Sequence, residues 1–202
     1  GYDGKGQYII SNVKDFENID LENEFILEKK INLQKEISII ITRYQNGISV
    51  VYEPIENIHK DQILDTSKIP SNIDNKISNQ GKKYAIKLAN ELNYVGTMCV
   101  EYFIDKNNKL FVNEIAPRVH NSGHLTINAY NISQFESHVR SVCNLEAIEP
   151  VMKSAAIMKN IIGEDILNYK NKEFKSNEFF FDYLKKEIRP KRKMGHLTTL
   201  KA

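Results

Sequence analysis

The amino-acid sequence predicts an α+β fold with a small β-rich unit towards its C-terminal end. Three observations support this prediction: several short segments alternate apolar and polar residues, two longer segments repeat apolar residues at helical spacing, and Asn, Gly and Pro residues separate them. A chain of 202 residues is long enough to bury a full core and to add a smaller unit. We therefore expect one main body and one appended piece.

Strands are predicted in the first part of the chain, and one hairpin is marked by its turn. Residues 25–31, 36–44 and 48–54 are rich in β-branched and aromatic residues, which is typical of strands. Gln45-Asn46-Gly47 separates the second from the third, and Asn-Gly is a strong hairpin signal. The last two of these strands are therefore expected to pair.

Two helices are predicted further along the chain. Apolar residues recur at helical spacing between residues 77 and 92. A second helix is expected over residues 134–143, because Ser133 precedes it as a cap and Glu136 follows three residues later.

The pattern changes after Pro150. The segments SAAIMKNII, FFFDYLKKE and HLTTL are typical of strands in a small β unit. We therefore divide the chain into residues 1–148 and a β-rich subdomain of residues 149–202.

A pair of glutamates is the most informative feature between the two helices. Residues 97–105 and 110–118 alternate apolar and polar residues around a turn signal at 106–108. If Asp105 lies opposite Leu110, Glu101 lies directly opposite Glu114, with the two Cβ atoms about 5 Å apart. Like charges at that distance need a cation between them, and two carboxylates beside Asn113 suit a hard divalent cation that keeps open positions for phosphate oxygens. The alternative is a solvated hairpin face on which both glutamates point into water.

The segment after this hairpin is dense in polar groups. Its side chains can bind an anion and still offer hydrogen bonds to a sugar or a carboxylate; they are Arg118, His120, Asn121, Ser122 and His124. An ordinary polar surface loop is the alternative. Neither histidine has a spacing to a carboxylate that predicts a zinc site.

The chain opens on a glycine-rich segment that carries one lysine. Glycines stand at positions 1, 4 and 6, where they let backbone N–H groups approach phosphate oxygens, and Lys5 adds a positive charge. The alternative is a simple Asp-Gly hairpin turn. The following residues favour a strand, so the segment matches neither a Walker A loop nor a Rossmann fingerprint, both of which need a helix there.

Composition gives limits on partners and location. The formal net charge is +2, from 28 basic and 26 acidic residues, which gives no general reason to expect nucleic acid or an anionic membrane as partner. Cys99 and Cys143 lie in apolar stretches and are expected to be reduced, buried thiols, with a structural disulfide as the alternative. The longest apolar run, residues 37–42, is too short to cross a bilayer, and no signal peptide is visible. These features predict a cytoplasmic protein.

Five motifs, in order, resemble those of one enzyme family. GYDGKGQ, ENIHKDQIL, NEIAPRVHNSGH, SQFESHVRSV and RPKRKMGHLT look like ATP-grasp enzymes, and among them like the N5-carboxyaminoimidazole ribonucleotide synthases of purine biosynthesis. The resemblance covers nearly the whole chain, which is similar to the C-terminal half to two-thirds of that family. It implies a partial ATP-grasp domain in residues 1–148, followed by the small β-rich subdomain.

The resemblance also implies an activity. The family is a set of ATP-dependent C–N bond-forming ligases that use ATP, bicarbonate and 5-aminoimidazole ribonucleotide, with carboxyphosphate as intermediate. Mg²⁺ would be the metal, held by Glu101 and Glu114, and the enzyme would be a homodimer. Because the family's N-terminal part does not match any segment here, residues 1–202 alone are expected to bind MgATP poorly.

Site residues follow from the resemblance, position by position. The loop over the ATP phosphates would comprise Gly1, Tyr2, Asp3, Gly4, Lys5, Gly6 and Gln7. The other ATP-binding residues would be Glu28, Lys29, Lys30 and Ile31 at the adenine, Glu36 at the ribose, and His59, Asn113 and Glu114. Catalytic roles would fall on Lys5, Arg118 and His120. The ribonucleotide would contact Tyr2, Asp3, Lys5, Asn121, Ser122, Lys186 and Arg192.

Two departures and two alternatives accompany the resemblance. Lys191 replaces a glycine of the family's RPGRKMGH motif, and Leu125 replaces a tryptophan that follows HNSGH. A related ligase or carboxylase, such as the formate-dependent glycinamide ribonucleotide transformylase or biotin carboxylase, would share the glutamate pair. A non-catalytic nucleotide-binding fragment that needs a partner is the other alternative. The basic cluster of Lys186, Arg189, Arg192 and Lys193 could also be a solvated turn.

Overall fold

The protein is represented by a computed structural model that describes residues 6–19 and 24–201. Within them, nine strands form a single sheet in which every pairing is antiparallel. The strands are β1 (Leu33–Arg43), β2 (Ser49–Val51), β3 (Ile55–Lys60), β4 (Ile63–Ile69), β5 (Gly96–Asp105), β6 (Leu110–Ala116), β7 (Ala156–Ile162), β8 (Glu178–Asp182) and β9 (Lys193–Leu200). Their order is β6-β5-β1-β3-β4-β7-β9-β8, and β2 pairs with β1.

The helices of the described residues lie between these strands or, in one case, before them. The α-helices are α1 (Asn75–Glu91), α2 (Thr126–Ala129), α3 (Gln134–Val142) and α4 (Leu167–Lys170), with short 3₁₀ turns at Val13–Asn18, Asn121–Leu125 and Gly163–Ile166. Within this part of the chain, no helix has the length and apolar character needed to cross a bilayer.

The central strand β1 divides the core into two layers. Ile37, Ile39 and Ile41 pack with α1 in one cluster, because alternate residues of a strand face the same side of the sheet. Ile40 packs in a second cluster with Leu125, the residue that replaces the family's tryptophan. Ser38 lies on the same face as Ile40, so a buried polar side chain lies on the face that carries the second apolar cluster.

Several predicted elements are confirmed. Strands β1 and β2 form the Asn-Gly hairpin, with Gly47 at φ 86°. The first predicted helix is α1, capped by Asp74, which accepts a hydrogen bond from the Lys76 N–H at 2.6 Å. The second is α3, and its Ser133 Oγ accepts from the Glu136 N–H at 3.1 Å.

The strand predicted over residues 25–31 is wrong. These residues are irregular, and Ile26 and Leu27 are more than 80% exposed, at 83% and 81%. The segment lies outside every strand pairing among the described residues, and a strand is stable only when its backbone groups pair. The sheet instead starts at Leu33 and pairs β1 with β5 over its length.

The C-terminal strands continue the same sheet. Strand β7 pairs with β4 on one side and with β9 on the other, and β8 lies beyond β9. The strand predicted over residues 179–187 ends at Asp182, followed by an irregular segment. The predicted β-rich unit is therefore joined edge to edge to the strands that precede it.

Candidate functional site

Glu101 and Glu114 lie directly opposite each other on β5 and β6, as the sequence predicts. The route to this register differs from the prediction, because Leu110 pairs with Ile104 and not with Asp105. A bulge between Glu101 and Tyr102 shifts the register by one residue and so places Glu101 opposite Glu114. Asn113 is the extra residue on β6. Bulges re-aim side chains at sites of function, and this one brings Asn113 and Glu114 together opposite a single glutamate.

The two glutamates differ in their environment. Glu101 is only 9% exposed, whereas Glu114 is exposed. Burial raises the pKa of Glu101, and the charge of Glu114 raises it further. An isolated buried carboxylate is unstable in its charged form, so this pair is electrostatically prepared for a cation.

A row of buried polar side chains runs across the sheet to Glu101. Ser67 Oγ donates to Asn57 Oδ1 at 2.8 Å, Asn57 Nδ2 donates to Ser38 Oγ, and Ser38 Oγ donates to Glu101 Oε1 at 3.3 Å. The row crosses β4, β3, β1 and β5, so the carboxylate is oriented by the framework of the sheet. The roles of Ser38, Asn57 and Ser67 were not predicted, because short polar residues in a strand carry no signal of their partners.

Glu36 and His59 form a second charged pair on neighbouring strands. Their Oε2 and Nδ1 atoms are 2.6 Å apart, and each side chain is about a quarter exposed, at 24% and 25%. Burial lowers the pKa of His59, but the hydrogen bond and charge of Glu36 outweigh burial and raise it overall. Both residues were assigned to ATP by resemblance, and the structure brings them into contact.

His120 comes close to Glu101 from the loop after β6. Its Nδ1 is 3.6 Å from Glu101 Oε1 and 2.8 Å from Ser122 Oγ. Burial lowers the pKa of His120 to about 4, and Arg118 is the next cause. His120 is therefore neutral at neutral pH, and Arg118 beside it is exposed.

Buried Gln134 holds this loop in place from the start of α3. Its Oε1 accepts from the His120 N–H at 3.0 Å, its Nε2 donates to the His120 carbonyl at 2.7 Å, and Nε2 lies 3.0 Å from His124 Nδ1. Gly123 is required here, because a Cβ on it would lie 2.5 Å from Gln134 Oε1. The sequence indicated a helix start at Gln134 but gave no sign of this anchoring role.

The same loop is tied to the C-terminal strands. Asn121 Oδ1 accepts from Asn160 Nδ2 at 2.5 Å, and Asn121 Nδ2 donates to Tyr183 Oη at 3.4 Å. Tyr183 Oη lies 2.9 Å from His196 Nδ1, and the ring of His196 is 5.4 Å from that of His124. The predicted β-rich subdomain thus supplies part of the wall of the site.

The basic segment KKEIRPKRK lies in the irregular chain between β8 and β9, apart from Lys193, which is the first residue of β9. Lys186 is exposed, and Arg192 Nη1 donates to the Glu187 carbonyl at 3.1 Å. Lys191 has φ 63°, the left-handed region that its glycine counterpart in the family would enter without strain. The charge of Lys193 acts to lower the pKa of His59, His120 and His124, so the start of β9 lies near these histidines.

The remaining predicted ATP-binding residues fall in two places. Gly1, Tyr2, Asp3, Gly4 and Lys5 lie outside the described residues, whereas Gly6 and Gln7 are exposed. Glu28, Lys29 and Lys30 are exposed in the irregular segment before β1, and Ile31 is partly buried.

Cys99 and Cys143 are both thiols without a disulfide, but Cys143 is exposed and not buried as expected.

Comparison with known proteins places this geometry in a family. A family model described as the ATP-grasp domain matches residues 1–135. A second model, described as the phosphoribosylaminoimidazole carboxylase C-terminal domain, matches residues 156–202.

Individual relatives agree with the family models. An N5-carboxyaminoimidazole ribonucleotide synthase of Staphylococcus aureus (strain MRSA252) is 41% identical over 211 residues, which cover 99% of this chain and 54% of that protein. The solved ADP complex of purK, an N5-carboxyaminoimidazole ribonucleotide synthetase, has a TM-score of 0.91 at 39% identity, covering 100% of this chain and 54% of that one. The Aspergillus clavatus synthase in complex with ADP and 5-aminoimidazole ribonucleotide has a TM-score of 0.80 at 27% identity, covering 86% of this chain and 48% of that one.

The chain spans about half the length of the curated relatives that it matches. The α+β fold and the resemblance to N5-carboxyaminoimidazole ribonucleotide synthases, both predicted from the sequence, are confirmed by these matches. The chain belongs to the ATP-grasp family.

Proposed function

We propose that this chain carries the metal-binding and ribonucleotide-binding part of an ATP-dependent C–N ligase. Its substrates would be ATP, bicarbonate and 5-aminoimidazole ribonucleotide, and its product N5-carboxyaminoimidazole ribonucleotide. The pairing of Glu101 with Glu114 next to the His120 loop carries the proposal. The likeness to synthases solved with ADP and with 5-aminoimidazole ribonucleotide supports the choice of substrates.

Mg²⁺ fits the glutamate pair. The donors are carboxylate oxygens from two adjacent strands, which hard cations prefer, and a cation would offset the burial and the Glu114 charge that raise the pKa of Glu101. When bound, Mg²⁺ would neutralise charge on the phosphates of ATP. Glu101 and Glu114 would hold it, with Ser38 orienting Glu101 and Asn113 beside the phosphates.

The proposed reaction has two steps. A bicarbonate oxygen attacks the γ-phosphorus of ATP, the bond to ADP breaks, and carboxyphosphate forms. The amine of the ribonucleotide then attacks the carboxyl carbon, phosphate leaves, and the amine loses a proton. Most of the acceleration would come from positioning and from charge stabilisation.

This chain's own residues would act in both steps. Arg118 is exposed and charged beside His120, where it would hold the carboxyphosphate anion. Burial lowers the pKa of His120, so its imidazole is neutral and can accept the amine's proton, and Gln134 fixes the backbone that carries it. Asn121, Ser122, Lys186 and Arg192 would bind the ribonucleotide, and Glu36 and His59 the ATP. Lys5 and the glycine-rich segment would close over the phosphates.

Glu114→Gln tests the metal role. It should weaken binding of MgATP much more than binding of Mg²⁺-free ATP, measured by calorimetry on the chain joined to the part of the Staphylococcus aureus relative that it does not match. Glu91→Gln, at the exposed end of α1, is the matched control and should change neither affinity. Equal losses for both ligands in Glu114→Gln would remove the metal role from this residue.

Phosphate release tests the reaction. It should depend on both bicarbonate and 5-aminoimidazole ribonucleotide in the joined protein, whereas residues 1–202 alone should bind MgATP poorly and release none. Release that is indifferent to the ribonucleotide would favour another ATP-grasp ligase. A homodimer in the cytoplasm completes the proposal, and sizing chromatography of the joined protein tests its oligomeric state.

A further inference from the structure

We propose that Cys99, Glu101 and His120 form a binding site for a borderline divalent cation of the zinc type. One ligand atom from each of these residues lies within 4.8 Å of the other two. The set contains a thiol and an imidazole, so it differs in chemistry from the all-oxygen pair of Glu101 and Glu114. The proposal stands on this geometry alone and does not depend on the function proposed above.

The fold brings the three residues together by two independent routes. Cys99 and Glu101 are two residues apart on β5, so their side chains leave the same face of the sheet. His120 arrives from the loop after β6, and its backbone is fixed by two hydrogen bonds to Gln134. This explains why the spacing of residues along the sequence gave no sign of a zinc site.

The distances are close to those of a metal centre. Two ligands held at 2.0–2.1 Å from a tetrahedral zinc ion lie roughly 3.3 Å apart. His120 Nδ1 and Glu101 Oε1 are already 3.6 Å apart. A sulfur and a nitrogen ligand would lie roughly 3.5 Å apart. Because the widest separation is within 4.8 Å, metal binding would draw these ligands together by at most about 1.3 Å. Water would complete the coordination.

The chemistry of the donors selects the cation. Thiolate and imidazole favour Zn²⁺ and Co²⁺, whereas Mg²⁺ prefers oxygen ligands. Cys99 would bind as the thiolate, so its proton leaves to solvent as the sulfur–metal bond forms. The dication then neutralises the thiolate and the Glu101 carboxylate.

Two cations would compete for Glu101. A zinc-type ion held by Cys99 and His120 would occupy the carboxylate that the proposed magnesium site also needs. We therefore expect Zn²⁺ to exclude Mg²⁺ from Glu101, whereas Mg²⁺, which gains nothing from the thiolate and the imidazole, should not displace Zn²⁺.

Cobalt spectroscopy tests the site without any nucleotide. Titration of the 202-residue chain with Co²⁺ should produce a near-ultraviolet sulfur-to-cobalt charge-transfer band at one equivalent, which Zn²⁺ bleaches and excess Mg²⁺ does not. Cys99→Ser should abolish the band, whereas Cys143→Ala, which removes the exposed second thiol, should leave it unchanged. Circular dichroism of each variant establishes that it is folded.

His120→Gln provides a second test that retains the thiol. Its Co²⁺ affinity should fall by at least the ~10–100-fold that loss of an outer-shell partner costs at metal sites. The proposal is overturned if the wild-type chain gives no charge-transfer band, if Cys143→Ala abolishes it, or if His120→Gln binds Co²⁺ as tightly as the wild type. Because no ATP is present, these outcomes are separate from failure of the ligase proposal.

Discussion

The acidic and the basic regions of the candidate site are built in different ways. Glu101 is buried in the sheet and receives a hydrogen bond from Ser38, the last member of a row that begins on β4. Lys186 and Arg189 are exposed in the irregular segment before β9. The sheet therefore holds the carboxylates in place before a cation arrives, while the basic groups stay hydrated until an anion arrives. Changes near the acidic region should alter stability, and changes in the basic segment should alter binding alone.

The largest effect is expected from acid. Burial lowers the pKa of His120 to about 4, of His124 to about 3 and of His196 to about 4. The unfolded chain therefore binds more protons below pH 6.5, so the stability is fully present above 6.5 and is lost as pH falls towards the folded pKa values. Each histidine contributes about 1.4 kcal/mol per pH unit in this window.

Urea unfolding between pH 7.5 and 4.5 measures this slope. The raised pKa of Glu101 acts in the opposite direction, so the net slope should stay below about 4 kcal/mol per pH unit for three histidines. His124→Asn should lower it by about one histidine's share. A free energy of unfolding that does not change over this pH range would contradict the idea that the three buried histidines stay neutral in the folded protein.

Gln134→Leu should give the next largest effect. It leaves the N–H and the carbonyl of His120 without their partner, at about 1–3 kcal/mol for each buried group. Chemical denaturation should show a loss of several kcal/mol. Gln80→Leu, on the exposed face of α1, is the control and should stay within about 0.5 kcal/mol of the wild type. Equal stability of both variants would mean that the loop does not depend on its anchor.

Arg192→Ala should affect binding and not folding. If Arg192 makes the proposed charge-assisted phosphate contact, worth about 1.5–3 kcal/mol, its loss should raise the KM for 5-aminoimidazole ribonucleotide by about tenfold to more than a hundredfold. The KM for ATP and the unfolding midpoint should stay nearly unchanged. Arg189→Ala, an exposed neighbour paired with Glu187, is the matched control. A change confined to ATP would assign the basic segment to the nucleotide.

The smallest effect concerns the pair of Glu36 and His59. Because the folded pKa of His59 is raised, the pair's contribution is fully present below pH 6.5 and is lost as pH rises through the folded pKa. Glu36→Gln should therefore cost up to about 1 kcal/mol at pH 6 and less at pH 9, as expected for a partly exposed pair. A cost that grows with pH would show that the pair is not an ion pair.

Local signals in the sequence predicted the local structure well. The Ser133 cap, the Asn-Gly turn and the helical spacing before Leu92 each depend on residues a few positions apart, and each is found in the structure. The hairpin of β3 and β4 was missed because its turn uses Asp61 and Gln62, both at positive φ, in place of Asn and Gly. The wrong strand over residues 25–31 had the right composition but no pairing partner.

The candidate site was predicted only where a register could be derived. Opposition of Glu101 and Glu114 follows from alternation along one hairpin, even though the bulge at Asn113 was not foreseen. The contacts of Gln134, Asn160 and Tyr183 with the loop join residues that are distant in sequence. No periodicity or turn chemistry reports such contacts, because they arise only when separate elements pack.

The pairing of β4 with β7 has a consequence for how the chain folds during synthesis. About ninety residues separate the paired positions Thr66 and Lys159, so β4 is complete long before its partner leaves the ribosome. Until then the backbone groups of one edge of β4 are unpaired, and an unpaired edge is a template for pairing with another chain. The nascent protein is therefore most exposed to aggregation in the interval before Ala156–Ile162 emerges.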